Sequence, residues 1–462
     1  MERIIVLEVN EVPKRVLDWW AVRSPESATA RLLASGSMTE TVLDDDLPRD
    51  LYPSQSWASV GMGAPYSAHG VFWYGDPKPD SHPFYWQAAA DAGRSVGLFG
   101  VLHSSPRAEQ ASGPNYAFVV PDLFGDDAST LPAKLQPIQE LNLRMTKQSA
   151  RVASVRPGLA DIGGAASFVR NGVKPSTWAE VTMLAAQVAR GAWNKERLRV
   201  AQSLLAADVF ERQVIETDPD LAVVFSNHVA SFMHRYWAAT FPEDWAEGSG
   251  YSADWVEKNA GELPYAMQAF DRILDQLMAL ASATGRELLV VSSMGQKADN
   301  TVDTDRAYQA VIRKPDQFLA AAGLAPGHEV RGAMVPQLTL VATTASDADH
   351  IQSVLDTFLG EGLDELMVAH EGADHVMTFT YKPAARDGEV LVGGHWVDPA
   401  SVGMTVEAVT DHRSGRHCPR GIVMSSQKEL WPDEIDALDF APMILERLGV
   451  PALAHHRTPA TA

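Results

Sequence analysis

Residues 3–12 read RIIVLEVNEV. A short apolar run that ends abruptly in polar residues marks a strand buried on both faces. The pattern returns in LAVVFSNH (221–228) and ELLVVSSM (287–294). Helical spacing lies around these runs. It predicts helices over Pro13–Trp20 and Ser27–Ala34, a short one over Trp57–Met62, and one over 83–92. Strands are predicted at Met38–Leu43, 94–99 and GIVMSS (421–426), and a mostly helical stretch at 128–216. A helical region at 252–283 and a closing helix over Asp436–Leu448, stopped by Gly449 and Pro451, complete the pattern. Strands separated by helices predict an α/β fold: a doubly wound, mainly parallel sheet with helices on both faces. That core would take 1–299 and 401–462, with the helical insertion at about 128–216. Residues 300–400, carrying VPQLTLVAT, a helix at 348–359 and HVMTFTY, read as a smaller α/β insertion or cap. Ligands of such sheets bind at the carboxyl ends of the strands.

Composition narrows the function classes. The chain has 462 residues, with 38 Lys+Arg against 59 Asp+Glu and a net charge of −21. Such acidity repels nucleic acid and anionic membranes, and no dense basic block offsets it. One cysteine, Cys418, excludes an internal disulfide and a cysteine-rich zinc site. The opening MERIIVLEVNEV lacks the form of a signal peptide, and no run approaches eighteen apolar residues. The expectation is a cytoplasmic protein without a membrane span.

The residues that follow the strands carry the chemistry. Glu8, Asn10 and Glu11 follow the first. Ser54, Ser56 and Trp57 stand in PSQSW (53–57), and His69 in AHG (68–70). Asn227, His228 and His234 follow the 221–226 run, Ser293 and Met294 the 287–292 run. His412 and His417 precede the last strand. A serine at a helix start is either an ordinary N-cap or a hydroxyl in a positive, anion-holding position. Histidines gathered at one sheet edge either bind a metal or serve as satisfied polar residues. Glu8 and Glu11 are either ligands or partners of a helix N-terminus. The aromatic residues Trp57, Trp73 and Trp396 either line a pocket or pack a core.

Four blocks, in order, resemble the alkaline phosphatase superfamily in its phosphodiesterase and nucleotide-pyrophosphatase-like branch. They are YPSQSWASVGMGAPYSAHGV (52–71), VVFSNHVASFMHRYW (223–237), HCPRGIVMSS (417–426) and DALDFAPMILERLGVPA (436–452). The resemblance implies an alkaline-phosphatase-like sheet and a Ser/Thr nucleophile with two divalent metals that cleaves phosphate or sulfate esters. It maps the nucleophile onto Ser56, with Ser54 as rival. It maps family metal ligands onto His234 and His417. It also places Asn10, Ala230, Ser293 and Met294 where the family carries Asp or His. Asn, Ala, Ser and Met supply no anionic oxygen, so the two-metal site is degenerate. The expectation is at most one divalent metal (Zn, Mn or Mg), drawn from His234, His417, Asn10, Glu11 and His228, with Trp57, His69, Trp73 and His412 near the substrate. The substrate expected is a small phosphate- or sulfate-bearing molecule. The alternative is an inactive relative that binds an anionic small molecule or a protein partner.

Overall fold

Alternate residues of the apolar runs feed two separate cores. Ile5, Leu7, Val9, Ala222, Val224, Leu288 and Val290 pack into one cluster. Ile4, Val6, Leu221, Val223, Phe225, Leu289 and Val291 pack into another. Side chains along a strand point to opposite faces, so both faces of this sheet are covered. The first cluster takes in Val16, Leu17 and Trp20, then Leu32, and further on Phe210, Phe232 and Phe270. The second takes in Trp57, Val60, Tyr85, Trp86, Phe440 and Ile444.

The computed structural model describes residues 2–44, 51–72, 74, 76, 78–104, 111, 113, 115–124, 127–148, 168–245, 250–300, 308–325, 328–331, 337–360, 363–369, 375–381, 384–408, 413–429 and 431–456. The strands of the first part are β1 (Ile4–Val9), β2 (Ser37–Val42), β3 (Val96–Phe99), β4 (Tyr116–Val120), β5 (Leu221–Ser226), β6 (Glu287–Ser292) and β7 (Gly295–Ala298). An eight-stranded sheet runs in the order Glu434–Asp436, β2, Arg420–Ser425, β6, β1, β5, β3, β4. β6, β1, β5, β3 and β4 pair in parallel. Arg420–Ser425 runs against both of its neighbours. The fold is therefore α/β with a mainly parallel sheet and helices on both faces.

The register builds one edge. Glu8 lies opposite Phe225 and Val291, and Val9 opposite Ser226. β1, β5 and β6 thus end together, with Asn10, Asn227 and Ser293 just past their ends. β7 then pairs antiparallel with Gly415–Cys418, which sets His417 opposite Gln296. Gly295 begins β7 because no side chain fits there: a Cβ would lie 2.3 Å from the Arg420 carbonyl oxygen.

The chain divides into two compact units, one of Met1–Met145, Pro157–Val302 and Arg413–Ala462, the other built on Asp303–His412. The second has its own core, with Phe318, Leu340, Ile351, Leu355 and Val390 at its centre. Its antiparallel sheet joins Leu363–Ala369, His375–Tyr381, Gln337–Ala342 and Val330–Arg331 in that order. Its longer helix spans Ala345–Leu359, capped by the Thr344 side chain, and a shorter one spans Pro315–Ala322.

Several elements differ from the sequence expectation. The helix expected over Trp57–Met62 starts at Pro53 and runs to Met62. Proline needs no N–H partner and its fixed φ suits the first helical position, so the PSQS segment is helix and not loop. Tyr52 precedes it without a side-chain cap bond, and neither Ser54 nor Ser56 is the N-cap. The 252–283 stretch is two helices, Ala253–Asn259 and Glu262–Thr284. The closing helix is a short 3₁₀ turn followed by Phe440–Arg447. Among the described residues, no helix is long and apolar enough to cross a membrane.

Leu7 is 1% exposed in the first core, whereas Val22 is 82% exposed. Leu7→Ala is expected to cost about 2–5 kcal/mol in denaturant unfolding, and Val22→Ala less than about 0.5 kcal/mol. Equal costs would contradict this assignment of the core.

Candidate functional site

Glu11 holds the centre of the edge. Its backbone is left-handed, with φ 60°. A non-glycine residue there costs about 1–3 kcal/mol and persists only where its surroundings enforce it. Here the enforcement is a set of contacts on a carboxylate that is 3% exposed. Asn10 Nδ2 donates to Glu11 Oε1 at 2.7 Å. Gln296 Nε2 donates to Oε2. His234 Nε2 lies 2.8 Å from Oε2, and His417 Nε2 lies 3.3 Å from the same oxygen.

The far sides of both imidazoles are fixed. His234 Nδ1 donates to the Gly415 carbonyl at 2.8 Å, and His417 Nδ1 donates to the Leu51 carbonyl at 2.7 Å. A carbonyl only accepts, so each Nδ1 carries the hydrogen. In the neutral ring that leaves a lone pair on each Nε2, and both lone pairs face one carboxylate oxygen. His417 Nε2 is buried without a hydrogen-bond partner. Among the described residues, Glu11, His234 and His417 are the one group of three metal-capable side chains whose ligand atoms all lie within 4.8 Å of one another. A divalent cation fits this donor set. Burial works to raise the Glu11 pKa, but the positive charge that the protonated His417 and His234 rings would place against it, with their hydrogen bonds, holds it well below the usual carboxylate range. Burial pulls the His234 pKa down, against the opposing pull of Glu11.

Asn10 ties this group to the Pro53–Met62 helix. Its Oδ1 accepts from Trp57 Nε1 at 2.9 Å, and its Nδ2 also donates to Asn227 Oδ1 at 2.8 Å. Ser56, next to Trp57, is 0% exposed. Its hydroxyl is 2.8 Å from the Ser293 hydroxyl and 3.3 Å from the Pro53 carbonyl. Two neutral hydroxyls thus meet where the resemblance implies a metal-bound nucleophile. Ser54 is also buried, and its carbonyl accepts from His103 Nε2 at 2.5 Å.

Other expected residues stand elsewhere. His228 is outside the Glu11 group: its Nδ1 meets the Ser226 hydroxyl at 2.8 Å, and its Nε2 faces the Ala266 carbonyl at 3.3 Å. Burial lowers its pKa to about 4. His69 is a loop fastener, with Nε2 2.9 Å from the Ser59 hydroxyl and Nδ1 accepting from Val71 N–H at 3.0 Å. Trp73 and His412 lie outside the described residues. Trp396 belongs to the second unit, where Arg386 stacks over its ring at 4.2 Å.

Gln296 was not legible as a site residue. The only local signal is Gly295, which permits the turn that brings it in. Glu8 is outside the Glu11 group. It is 1% exposed and accepts from the Tyr85 hydroxyl at 3.0 Å. Burial, outweighing the Tyr85 bond, pushes its pKa up to about 8.

No family model matches the sequence, and no curated protein matches it significantly. Solved structures align along nearly the whole chain at low similarity. Phosphonoacetate hydrolase from Sinorhizobium meliloti 1021, in complex with phosphonoformate, is 11% identical, with 98% of this chain and 96% of that one covered and a TM-score of 0.44. Murine ectonucleotide pyrophosphatase/phosphodiesterase 5 is 10% identical, with 99% and 98% covered and a TM-score of 0.43. Wild-type alkaline phosphatase PafA is 11% identical, with 99% and 98% covered and a TM-score of 0.44. Similarity at this level carries no argument about activity.

A carboxyl group whose pKa rises on folding stabilises the fold while it stays protonated, and that contribution fades as pH climbs towards the folded value. For Glu8 the window runs from about 4.5 to about 8. Glu8→Gln keeps an acceptor for Tyr85 and removes the titration. Its Tm relative to the native chain is expected to rise steadily from pH 5 to pH 8 and then level off. Parallel Tm profiles across that range would contradict the assignment.

Proposed function

We propose that the chain is a hydrolase or transferase-like member of the alkaline phosphatase superfamily, acting on a small phosphate- or sulfate-bearing ester with a single divalent cation. The observation that carries this reading is the convergence of His234 Nε2 and His417 Nε2 on Glu11 Oε2, with both Nδ1 atoms already bonded to backbone carbonyls. Two imidazoles and one carboxylate form a donor set typical of catalytic zinc sites, which keep a position open for water or substrate. When bound, such a cation polarises the ester and stabilises charge on its oxygens.

The chain's own residues do the rest. The Gly415 and Leu51 carbonyls fix the ring orientations and keep both Nε2 atoms available as ligands. Asn10 and Gln296 hold the Glu11 carboxylate in place. The first turn of the Pro53–Met62 helix sits beside this group, and a helix N-terminus favours an anionic group. Ser56, with Ser54 as rival, is the hydroxyl placed there to attack the ester. Attack requires the Ser56–Ser293 pair to open, because Ser56 is fully buried while that bond is made.

That same burial favours a second reading, in which the site binds the anion without turning it over. A hydroxyl facing another hydroxyl has no base to take its proton. Elemental analysis and assays on generic phosphodiester and sulfate-ester substrates separate the two. The hydrolase reading predicts about one zinc or manganese per chain, much weaker binding of it in Glu11→Gln, and a fall of at least about 10³-fold in turnover for Ser56→Ala. One metal with no turnover would support the binder. No metal, with no rescue by added Zn, Mn or Mg, would sink the metal site itself.

A further inference from the structure

All the side-chain polar groups of Asn10 are engaged. Its oxygen takes the Trp57 indole hydrogen, and its two amide hydrogens go to Glu11 Oε1 and Asn227 Oδ1. The partners fix the amide orientation, since an indole N–H only donates and a carboxylate only accepts. Asn10 is 4% exposed, so these bonds are made away from water, where each matters most. The Glu11 oxygen it holds, Oε1, is the one turned away from both imidazole Nε2 atoms. The other, Oε2, is the one they face.

We propose that Asn10 is a positioning residue and not a ligand: it locks Oε1 so that Oε2 is presented to the cation between His234 and His417, and it links that geometry to Trp57 beside Ser56. The inference rests on the proposed metal site and deepens it. The carboxamide turns a position where the resemblance implies a metal-binding carboxylate into a donor that orients Glu11. With its oxygen committed to Trp57, Asn10 completes no second metal site. One cation per chain follows from that commitment together with the hydroxyl pair of Ser56 and Ser293.

The test is zinc(II) affinity of the full chain, read by competition with a chromogenic chelator and independently of turnover. Outer-shell partners of metal ligands are worth about 10–100-fold in affinity, so Asn10→Ala is expected to weaken zinc by that factor at unchanged stoichiometry. Trp57→Phe, which removes only the indole donor, is expected to weaken it less, by about threefold to tenfold, and serves where Asn10→Ala does not fold. In a Glu11→Gln background the Asn10→Ala loss is expected to shrink to within about twofold, because an effect exerted through Glu11 vanishes with its carboxylate. An Asn10→Ala loss that persists undiminished in that background would make Asn10 a ligand or a general structural support and overturn the assignment. So would affinities of Asn10→Ala and Trp57→Phe equal to that of the native chain, when Glu11→Gln alone binds weakly. Absence of zinc binding by the native chain would instead remove the metal site, and this assignment with it.

Discussion

A buried carboxylate must be paired or neutralised, and this structure is organised around one that is paired. Glu11 is 3% exposed and meets four side chains, Asn10, Gln296, His234 and His417. Removing a charge from water costs several kcal/mol, so such a group survives only where good geometry repays it. Four separate parts of the chain must arrive for that to happen. β1 delivers Asn10 and Glu11, the helix after β5 delivers His234, and the ladder of β7 with Gly415–Cys418 delivers Gln296 and His417. The imidazoles are themselves held by the carbonyls of Gly415 and Leu51.

The two cores make that meeting possible. Each strand of the central sheet sends alternate residues to opposite faces, so the parallel strands are fixed from both sides and end in register. Interiors of that density transmit position well. The Pro53–Met62 helix belongs to the second core, where Trp57 and Val60 anchor it. Its Trp57 then reaches Asn10, so the helix that carries Ser56 and the strand that carries Glu11 share one hydrogen-bonded path. The neighbouring Ser56–Ser293 bond closes the same edge between that helix and β6.

Much of this was legible in the residues. The 221–226 and 287–292 runs mark β5 and β6 at their observed bounds, because uninterrupted apolar runs of that length fit a strand covered on both faces. His234 and His417 stood out by their place after and before strands. His228 did too, but helix geometry separates it from His234. Six residues at about 100° each leave the two side chains about 120° apart around the axis, so they leave the helix on different faces. That sum was available from the sequence. The choice between Glu8 and Glu11 was not, since it depends on the left-handed turn at Glu11 and the burial of Glu8 against Tyr85. Nor was Gln296, whose pairing with His417 spans a ladder between distant segments. The start of the Pro53 helix is not legible, because proline signals both a loop and a first helical turn, and only packing decides between them.

The central claim is that Glu11, His234 and His417 hold one divalent cation. X-ray absorption at the zinc edge of the zinc-loaded full chain tests it most directly. The account predicts one zinc per chain, with two imidazole nitrogens at about 2.0–2.1 Å and carboxylate oxygen at about 2.0–2.2 Å, and loss of that signal in His417→Ala. A shell of oxygens alone, a second zinc, or a spectrum unchanged in His417→Ala would contradict it.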